Sequence, residues 1–436
     1  MGTYHIKGGR KLSGEMEASG AKNAALPILA ASVITTGENV FEACPEISDV
    51  DSMITILRSL GCEVVRDGAQ LAVNASGLSE SRIPEELMKE MRSSVFLAGS
   101  LLARCGEAVI SSPGGCNIGR RPIDIHIKGL RRLGADIRQS TDNPDHIVIK
   151  AGKLRGTQLK LDYPSVGATE NLMLAAISAE GTTVIENSAR EPEIVALQEY
   201  INKCGGNVEG AGSGIITIKG GTKLHGCSHR VIADRIEAGT FMLMSLGTGG
   251  EIYIKGITAE YLRPLINCLK EGGCRIREER NSVYASAGSD SIKISGCIST
   301  APYPGFPTDL QPQLTAFLTK HGAKCTVEEN IFENRFRYAK QLIKMGADIE
   351  ISKKQVIING NNILYGGDVE AEDLRGGAAL VIAGLMAEGD TAVRNTKYIK
   401  RGYSRFAGKI RAMGGEIREN DEREQNSKEC QKKETT

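Results

Sequence analysis

The stretch Leu133-Gly134-Ala135-Asp136-Ile137 decides the fold, because its pattern occurs six times along the chain. The pattern is a helix end, a glycine, small or polar residues and then a β-branched residue. The other copies occupy residues 60–64, 204–208, 272–276, 345–349 and 413–417, and their glycines are separated by 68 to 73 residues. Each glycine suits the left-handed backbone position after a helix C-terminus, and the β-branched residue predicts the start of a strand.

A second pattern lies between these glycines: a turn of small residues, an apolar helix, a glycine and a β-branched strand. The helices at residues 24–34 and 378–386 are apolar on every side and are therefore predicted to be buried. Each unit of about 70 residues thus holds two helices and several short strands, which is too large for a helical solenoid repeat. Six units predict an α/β protein of two similar domains, each with three βαβαββ-type repeats around buried helices.

The composition is that of an ordinary globular protein, with 436 residues, 41% hydrophobic and 25% charged. The formal net charge of +1 argues against a general nucleic-acid binder. The longest apolar stretches fall short of the ~18–20 residues that a membrane span needs, and the N-terminus lacks the apolar core of a signal peptide. Residues 419–436 are highly polar and are predicted to be a disordered tail.

Eleven cysteines and six histidines are present, and no two cysteines show C-x-x-C spacing. An odd number of cysteines without a signal peptide predicts reduced thiols and a cytoplasmic protein. No structural zinc site is expected. Most of the cysteines are interpreted as small core residues, with Cys116 and the tail residue Cys430 as exceptions.

Cationic residues stand at the predicted starts of four of the six buried helices, namely Lys22, Arg92, Arg235 and Arg375. A helix N-terminus offers free N–H groups and the positive end of a dipole, which together bind anions. If these starts converge on one cleft, that cleft binds a strongly anionic ligand although the whole chain is neutral. The alternative interpretation is that the Ser, Asp and Asn residues at these starts are ordinary helix caps.

Cys116 lies in the glycine-rich segment 112–122, which also contains Arg120 and Arg121. Nearby cations favour the thiolate, so Cys116 is predicted to be the most reactive cysteine. On spacing alone, a functional and a purely structural role are equally compatible with this position.

Asp309 follows the segment 303–308 and precedes a helix predicted to start at Leu310. It could be the N-cap of that helix or a general base. Segments 331–336 and 400–403 add further cations, with an ordinary charged surface as the alternative. The chain has no G-x-x-x-x-G-K-[ST] phosphate loop and no G-x-G-x-x-G dinucleotide motif between strand and helix, which argues against nucleotide hydrolysis and dinucleotide-dependent chemistry.

Five long phrases carry a resemblance to a known family. They are Ser19-Gly20-Ala21-Lys22-Asn23-Ala24-Ala25-Leu26-Pro27, Pro113-Gly114-Gly115-Cys116, Ser165-Val166-Gly167-Ala168-Thr169, Phe306-Pro307-Thr308-Asp309 and Phe332-Glu333-Asn334-Arg335. From about Tyr4 to Ile417 the chain resembles the UDP-N-acetylglucosamine 1-carboxyvinyltransferases, the enolpyruvyl transferases of peptidoglycan synthesis. The resemblance implies two inside-out α/β domains facing each other across a cleft. One would hold residues 22–233, and the other, which is discontinuous, residues 1–21 and 234–418.

The resemblance also implies the reaction. The enolpyruvyl group of phosphoenolpyruvate would move to the 3′-hydroxyl of UDP-N-acetylglucosamine, through a tetrahedral intermediate and with release of phosphate. This is the first committed step of peptidoglycan synthesis. No metal or organic cofactor is implied, and a monomer with neither nucleic acid nor membrane as a partner is expected.

The motif-matched residues receive roles from the same resemblance. Cys116 would be the general acid, able to form a covalent adduct with phosphoenolpyruvate, and Asp309 would take the hydroxyl proton. Lys22, Arg121 and Arg401 would hold phosphoenolpyruvate, with Asn23 beside it. The sugar nucleotide would be bound by Arg92, Arg121, Pro122, Ile123, Asp124, Ile125, Ser165, Val166, Gly167, Asp309 and Ile331. Arg335 and Arg375 would stabilise the closed cleft and its anions.

Two positions depart from the family pattern. Tyr163-Pro164 stands where some members have a lysine, so a cationic diphosphate contact is not expected there. Arg120 and Arg121 are duplicated, and the following proline assigns the family's role to Arg121.

Other functions remain as alternatives. The related shikimate-pathway transferase lacks the Gly-Gly-Cys loop, so Cys116 argues against it. A non-catalytic paralogue that binds the sugar nucleotide would be expected to lose Cys116 or Asp309, and both are present. An RNA-terminal enzyme on a related repeat fold is disfavoured by the neutral charge and by the absence of a clear catalytic histidine.

Overall fold

The computed structural model describes residues 2–90, 95–111, 118–119, 123–141, 143, 145–288 and 292–420. The predictions made for Arg92, Cys116, Arg120, Arg121, Pro122, Cys430 and the tail beyond residue 420 lie outside these residues. The described chain forms two compact units. Unit 1 holds the residues up to Ala18, those from Asp234 onward, and Ile118 with Gly119, while unit 2 holds the other residues between Ser19 and Ala233.

Fourteen α-helices occur within the described residues. They are α1 (Lys22–Ala31), α2 (Ser48–Ser59), α3 (Glu85–Glu90), α4 (Phe96–Cys105), α5 (Asp124–Arg132), α6 (Val166–Ala176), α7 (Pro192–Lys203), α8 (Arg235–Gly247), α9 (Arg263–Glu271), α10 (Gln311–His321), α11 (Ala339–Lys344), α12 (Leu374–Met386), α13 (Lys397–Lys400) and α14 (Phe406–Ala412).

Twenty-three strands accompany them in the same part of the chain. They are β1 (Thr3–Lys7), β2 (Ser13–Glu17), β3 (Glu38–Glu42), β4 (Glu63–Asp67), β5 (Gln70–Asn74), β6 (Glu107–Ser111), β7 (Asp136–Gln139), β8 (His146–Lys150), β9 (Gln158–Lys160), β10 (Thr182–Glu186), β11 (Val208–Glu209), β12 (Ile215–Lys219), β13 (Ser228–Arg230), β14 (Glu251–Lys255), β15 (Arg275–Glu279), β16 (Ser282–Ser286), β17 (Ile294–Ser299), β18 (Gly322–Glu328), β19 (Asp348–Ile351), β20 (Gln355–Asn359), β21 (Asp368–Glu370), β22 (Asp390–Arg394) and β23 (Glu416–Asn420).

Each unit contains three small sheets, one for each predicted repeat. In unit 2 the strand orders are β13-β3-β5-β4, β6-β8-β7 and β11-β12-β10-β9. In unit 1 they are β15-β16-β14-β2, β17-β18-β20-β19 and β21-β22-β1-β23. Each of the five four-stranded sheets is mixed, because one of its inner strands pairs antiparallel with one neighbour and parallel with the other.

The N-terminal strands complete the sheets of unit 1. Strand β1 lies between β22 and β23, with Tyr4 opposite Val393 and Glu419, and β2 pairs with β14. Unit 1 is therefore built from both ends of the chain. Its membership differs from the predicted division at three places. Residues 19–21 belong to unit 2 and residues 118–119 belong to unit 1. Residues 419–420, predicted to begin the disordered tail, form the end of β23 because they pair with β1.

The six repeat glycines all occupy the left-handed position predicted for them. Glycines 61, 134, 205, 273, 346 and 414 have φ angles between 91° and 100°. Each lies two residues beyond the end of a helix, and a strand follows within three residues. The prediction of a repeated helix–glycine–strand junction is confirmed.

The centre of each unit consists of helices rather than of a sheet. The helices are α1, α4 and α6 in unit 2 and α8, α10 and α12 in unit 1, and most of their residues are buried. The strands around them alternate buried and exposed residues, as β12 does with Ile216 and Ile218 inside. The predicted fold class, two α/β domains with buried helices, is confirmed. No described helix is both long and apolar enough to cross a membrane.

Candidate active site

Asp309 lies in the loop before α10 and forms ion pairs with two arginines of unit 1. The Nη2 of Arg335 donates to its Oδ1 and the Nη2 of Arg375 donates to its Oδ2, both at 3.0 Å. The two arginine side chains are 3% exposed, whereas the Asp309 side chain is 28% exposed. The carboxylate is therefore the solvent-facing member of a group whose net charge is positive.

The alternative that Asp309 caps α10 is wrong. The helix begins at Gln311, its N-cap residue is Leu310, and no side chain accepts a capping hydrogen bond there. Side-chain caps do occur on α6, α8 and α12, where Ser165, Asp234 and Asp373 accept from backbone N–H groups. Asp309 instead uses both carboxylate oxygens for side-chain partners.

Arg375 is the second residue of α12 and remains charged although it is buried. Burial alone lowers its pKa, but Asp309 and Tyr403 more than compensate and raise the pKa above its ordinary value. Its guanidinium carbon lies 5.4 Å from the centre of the Tyr403 ring. The Nε and Nη1 of Arg375 and the Nε of Arg335 are buried without a hydrogen-bond partner among the described residues, so the site holds unused donors.

A polar network within the buried helices fixes the loop of Asp309. The Tyr403 hydroxyl lies 2.9 Å from Oγ1 of Thr240 and 3.0 Å from Nε2 of Gln313. The same Gln313 nitrogen donates to the backbone oxygen of Asp309 at 2.9 Å. Thr240 and Gln313 were not predicted as site residues, although a polar residue inside a predicted apolar helix was the signal that could have found them.

Glu329 organises two of the segments of unit 1 that carry predicted residues, those of Asp309 and of Ile331 with Arg335. Its buried carboxylate accepts from the hydroxyl groups of Thr300 and Thr308 at 3.1 and 2.8 Å. It also accepts from the N–H groups of Ile331 and Phe332 at 2.8 and 3.1 Å. Thr308 precedes Asp309 and Ile331 leads to Arg335, so one carboxylate fixes both segments. Nothing in the sequence pattern distinguished Glu329 from Glu328.

Arg401 lies in a segment that packs against the start of α12. It is the half-buried residue after α13, and Gly402 follows it. A Cβ added to Gly402 would lie 2.6 Å from the side chain of Leu374. Arg401 is thus carried by the same short segment as Tyr403, the partner of Arg375.

In unit 2, Lys22 forms an ion pair that the sequence analysis did not identify. Its Nζ lies 2.5 Å from Oδ2 of Asp49, and the two side chains are 14% and 6% exposed. Lys22 is the first residue of α1, and Asp49 lies in the first turn of α2. Asn23 is half-buried next to Lys22. The pair holds the Lys22 ammonium at the N-terminus of a buried helix.

The predicted sugar-nucleotide residues of unit 2 occupy the starts of two helices that pack together. Residues 123–125 form the N-cap and first turn of α5, and residues 165–167 do the same for α6. The contact runs through His126, whose ring would lie 3.5 Å from a Cβ added to Gly167. The structure therefore brings these two predicted segments together.

His126 is held neutral at this junction. Burial lowers its pKa to about 4, against a smaller opposing effect of Asp124. Asn171 Nδ2 lies 3.0 Å from Nδ1 of His126, and Asn171 Oδ1 accepts from the N–H of Gly99. An uncharged imidazole can pack against the backbone at Gly167, which a charged ring would not do without a partner.

The departure at Tyr163 is accompanied by a cationic groove nearby. A cavity of about 680 Å³ beside α5 and β9 is lined by Ile125, Lys128, Arg131, Arg132, Lys160 and Asp162, among others. Lys128 pairs with Asp162 at 2.8 Å, and Tyr163 is 40% exposed. The positive charge near this segment thus comes from α5 and from Lys160 of β9 rather than from position 163.

Among the described cysteines, two differ clearly from the expectation of a core position, and Cys227 and Cys268 are half-buried. Cys44, Cys62, Cys204, Cys274 and Cys325 are buried, as predicted for core residues. Cys105 and Cys297 are exposed, because they lie at the end of α4 and on the outer face of β17. Cys116 lies outside the described residues, and so do Arg92, Arg121 and Pro122. Just after Cys116, the oxygen of Ile118 accepts from the N–H of Asn334 at 3.0 Å.

No group of three or more His, Cys, Asp or Glu that could hold a metal ion occurs in the described segments.

Comparisons with known proteins place the chain among carboxyvinyltransferases. A family model described as EPSP synthase (3-phosphoshikimate 1-carboxyvinyltransferase) matches residues 6–410. UDP-N-acetylglucosamine 1-carboxyvinyltransferase 2 of Caldanaerobacter subterraneus subsp. tengcongensis is 46% identical, with 96% of this chain and 99% of the relative covered. UDP-N-acetylglucosamine 1-carboxyvinyltransferase 1 of Symbiobacterium thermophilum is also 46% identical, over 95% and 94% of the two chains.

Solved structures show the same fold. The enolpyruvyl transferase NikO from Streptomyces tendae superposes with a TM-score of 0.88 at 24% identity, covering 96% of this chain and 99% of its own. EPSP synthase from Acinetobacter baumannii gives a TM-score of 0.74 at 20% identity, over 97% and 100% of the two chains. These identities establish the fold but not the substrate.

Proposed function

Because the chain belongs to the EPSP synthase family, and within it to the UDP-N-acetylglucosamine 1-carboxyvinyltransferases, we propose that it makes enolpyruvyl-UDP-N-acetylglucosamine. The enolpyruvyl group of phosphoenolpyruvate moves to the 3′-hydroxyl of the sugar nucleotide, and phosphate is released. The reaction would be the first committed step of peptidoglycan synthesis and would take place in the cytoplasm. The expected acting species is a monomer.

The observation that carries this proposal is the position of Asp309. A partly exposed carboxylate lies against two buried arginines that retain unused N–H donors. This arrangement suits a reaction that needs a base for a hydroxyl proton and cations for phosphate and carboxylate groups. In the proposed role Asp309 takes the proton of the 3′-hydroxyl, while Arg335 and Arg375 stabilise the anions of the bound substrates.

The remaining roles follow from the motif matches. Lys22, Arg121 and Arg401 would bind phosphoenolpyruvate, with Asn23 beside it. The sugar nucleotide would be bound by Arg92, by residues 121–125, by residues 165–167 and by Ile331. The first turns of α5 and α6 offer backbone N–H groups that suit its diphosphate. Residues of both units would thus be required for activity.

The chemistry is an addition followed by an elimination. The deprotonated hydroxyl oxygen adds to C2 of phosphoenolpyruvate while Cys116, as general acid, supplies a proton to C3. In the elimination, the Cys116 thiolate takes a proton back from C3 of the tetrahedral intermediate. Phosphate leaves from C2 with the proton that Asp309 had taken up, which restores the double bond. Each step balances with one acid and one base, and Cys116 could also add to C2 and form a covalent adduct.

The decisive experiment compares two acceptors in a phosphate-release assay. With phosphoenolpyruvate and UDP-N-acetylglucosamine we expect phosphate and a product heavier than the sugar nucleotide by one enolpyruvyl group. With phosphoenolpyruvate and shikimate 3-phosphate we expect none. Turnover of the shikimate ester, or binding of the sugar nucleotide without any turnover, would contradict the proposal. Cys116→Ser provides the matched control for phosphate from contaminating phosphatases.

A further inference from the structure

Two cysteines of unit 2 lie within contact distance of each other. Cys204 is the residue directly after α7, and Cys227 directly precedes β13. Their Sγ atoms are 3.2 Å apart and are not bonded. A disulfide needs a separation of about 2.05 Å, so a movement of little more than 1 Å would allow a bond. No other pair of described cysteines has its thiols within hydrogen-bond distance of each other.

A buried asparagine fixes both cysteines. Asn39 Oδ1, on β3, accepts from the Tyr200 hydroxyl at 2.7 Å and from the N–H of Cys227 at 3.3 Å. The Cys204 thiol lies 4.0 Å from the same oxygen. The backbones are joined as well, since the N–H of His225 donates to the oxygen of Cys204 at 3.0 Å. The proximity of the two thiols is therefore built into the packing of α7 against β3 and β13.

The two thiols differ in access to solvent. Cys204 is fully buried, whereas Cys227 is partly exposed. Burial, together with the contact to Cys227, raises the pKa of Cys204, so this thiol carries its proton until it reacts. An oxidant from solvent would reach Cys227 first, and Cys204 is placed to react with the oxidised sulfur.

We propose that Cys204 and Cys227 form a dithiol site that peroxides convert into an intrachain disulfide. A peroxide oxidises the Cys227 thiol to a sulfenic acid and leaves as water. The Cys204 sulfur then attacks the Cys227 sulfur, and a second water leaves with the Cys204 proton. In sum, two thiols and one hydrogen peroxide give one disulfide and two waters. A dithiol reductant reverses the reaction.

Peptide mapping tests the proposal directly. Trypsin cleavage after Lys203, Lys219, Lys223 and Arg230 places the two cysteines in separate peptides, 204–219 and 224–230. The native protein is treated with hydrogen peroxide, blocked with N-ethylmaleimide and digested. We expect one linked species that is two hydrogen atoms lighter than the sum of the two peptides and that disappears after dithiothreitol. Recovery of both peptides unlinked, at a dose that oxidises the exposed Cys297, would overturn the proposal.

Single variants separate this site from random oxidation. In Cys204→Ser, Cys227 should be trapped by dimedone as a sulfenic acid. In Cys227→Ser, Cys204 should stay reduced. Cys44→Ser is the matched control, since Cys44 is also a buried cysteine, with a pKa that burial raises to about 12. This variant should leave the linked species unchanged.

Oxidation should also raise the melting temperature of the wild type but not of Cys227→Ser. Links from Cys105 or Cys297 between two chains, in place of the internal one, would also refute the proposal.

Discussion

Asp309 holds two buried arginines at once, one on each carboxylate oxygen, and each N–O distance is 3.0 Å. Arg335 and Arg375 reach this carboxylate from segments 26 and 66 residues further along the chain. Asp309 therefore carries a structural function in addition to the proposed catalytic one. The two functions can be measured separately, because the structural function affects stability and the catalytic function affects turnover.

Asp309→Asn should lower both the unfolding free energy and the turnover. The substitution leaves two nearly buried guanidinium groups without their anion, so we expect a loss of about 2–3 kcal/mol of unfolding free energy. This is below the ~3–5 kcal/mol of a fully buried pair, because Asp309 is 28% exposed. Turnover should fall about 100- to 10,000-fold, the usual contribution of a general base. Urea unfolding and phosphate release measure the two effects.

The matched control for Asp309 is Asp373→Asn. Asp373 caps α12 next to Arg375, and Asn caps a helix about as well as Asp. This control should keep most of its stability and turnover. If Asp309→Asn retained more than about a tenth of normal turnover, Asp309 would not be the base, whatever its effect on stability.

His126 should make the stability of the protein fall in mild acid. Its pKa is about 4 when folded and about 6.5 when unfolded, so the unfolded state binds the extra proton. The stability is fully present above about pH 6.5 and is lost as the pH falls toward 4, with a loss of roughly 2 kcal/mol near pH 5. His126→Gln cannot take up this proton, and its unfolding free energy should vary less with pH.

Urea unfolding of both proteins between about pH 7 and pH 5 measures the difference in slope. His229, whose pKa burial also lowers to about 4, contributes equally to both proteins and cancels in the comparison. Equal slopes for wild type and His126→Gln would show that His126 does not remain neutral in the folded protein.

Glu170 is a buried acid whose replacement should stabilise the protein. It lies inside α6, and both carboxylate oxygens are buried without a hydrogen-bond partner among the described residues. Burial raises its pKa well above the ordinary value, and Glu193 and Glu191 add to the effect. Above about pH 4.5 the unfolded chain releases the proton of Glu170, whereas the folded protein keeps it. The unfolding free energy therefore falls as the pH rises above this value.

Glu170→Gln imitates the protonated form at every pH. Its melting temperature should exceed that of the wild type at neutral pH, and the gain should shrink below about pH 4.5. Glu180→Gln is the control, because Glu180 is an exposed partner of Lys153 and its pKa is lowered by that contact. A gain that does not depend on pH would contradict this account of Glu170.

How much of the molecule the sequence predicts depends on the range of the interactions. The six junction glycines could be found because their constraint is local: a helix end needs a left-handed residue, and glycine adopts this conformation most readily. The contacts of Glu329 and the pairing of Lys22 with Asp49 could not be found, because they join segments that only the fold brings together. Asp309 was predicted to be functional, but the sequence could not show its partners, because they lie on two other elements. A capping role was therefore a reasonable alternative from the local sequence, and the tertiary contacts show that it is wrong.

Gly273→Ala tests whether backbone conformation alone selects the repeat glycines. Gly273 has a φ of 92°, and a Cβ added there would meet nothing within 4 Å, so packing cannot explain a loss of stability. We expect the variant to lose about 1–2 kcal/mol of unfolding free energy, which is the cost of a left-handed conformation for a residue with a Cβ. Gly367→Ala in the same unit is the control, because that site is equally open and its φ is not in the left-handed region. The control should be neutral or slightly stabilised, since alanine restricts the unfolded chain. Equal changes in the two variants, measured by urea unfolding, would show that the left-handed junction is not what requires glycine in the repeat.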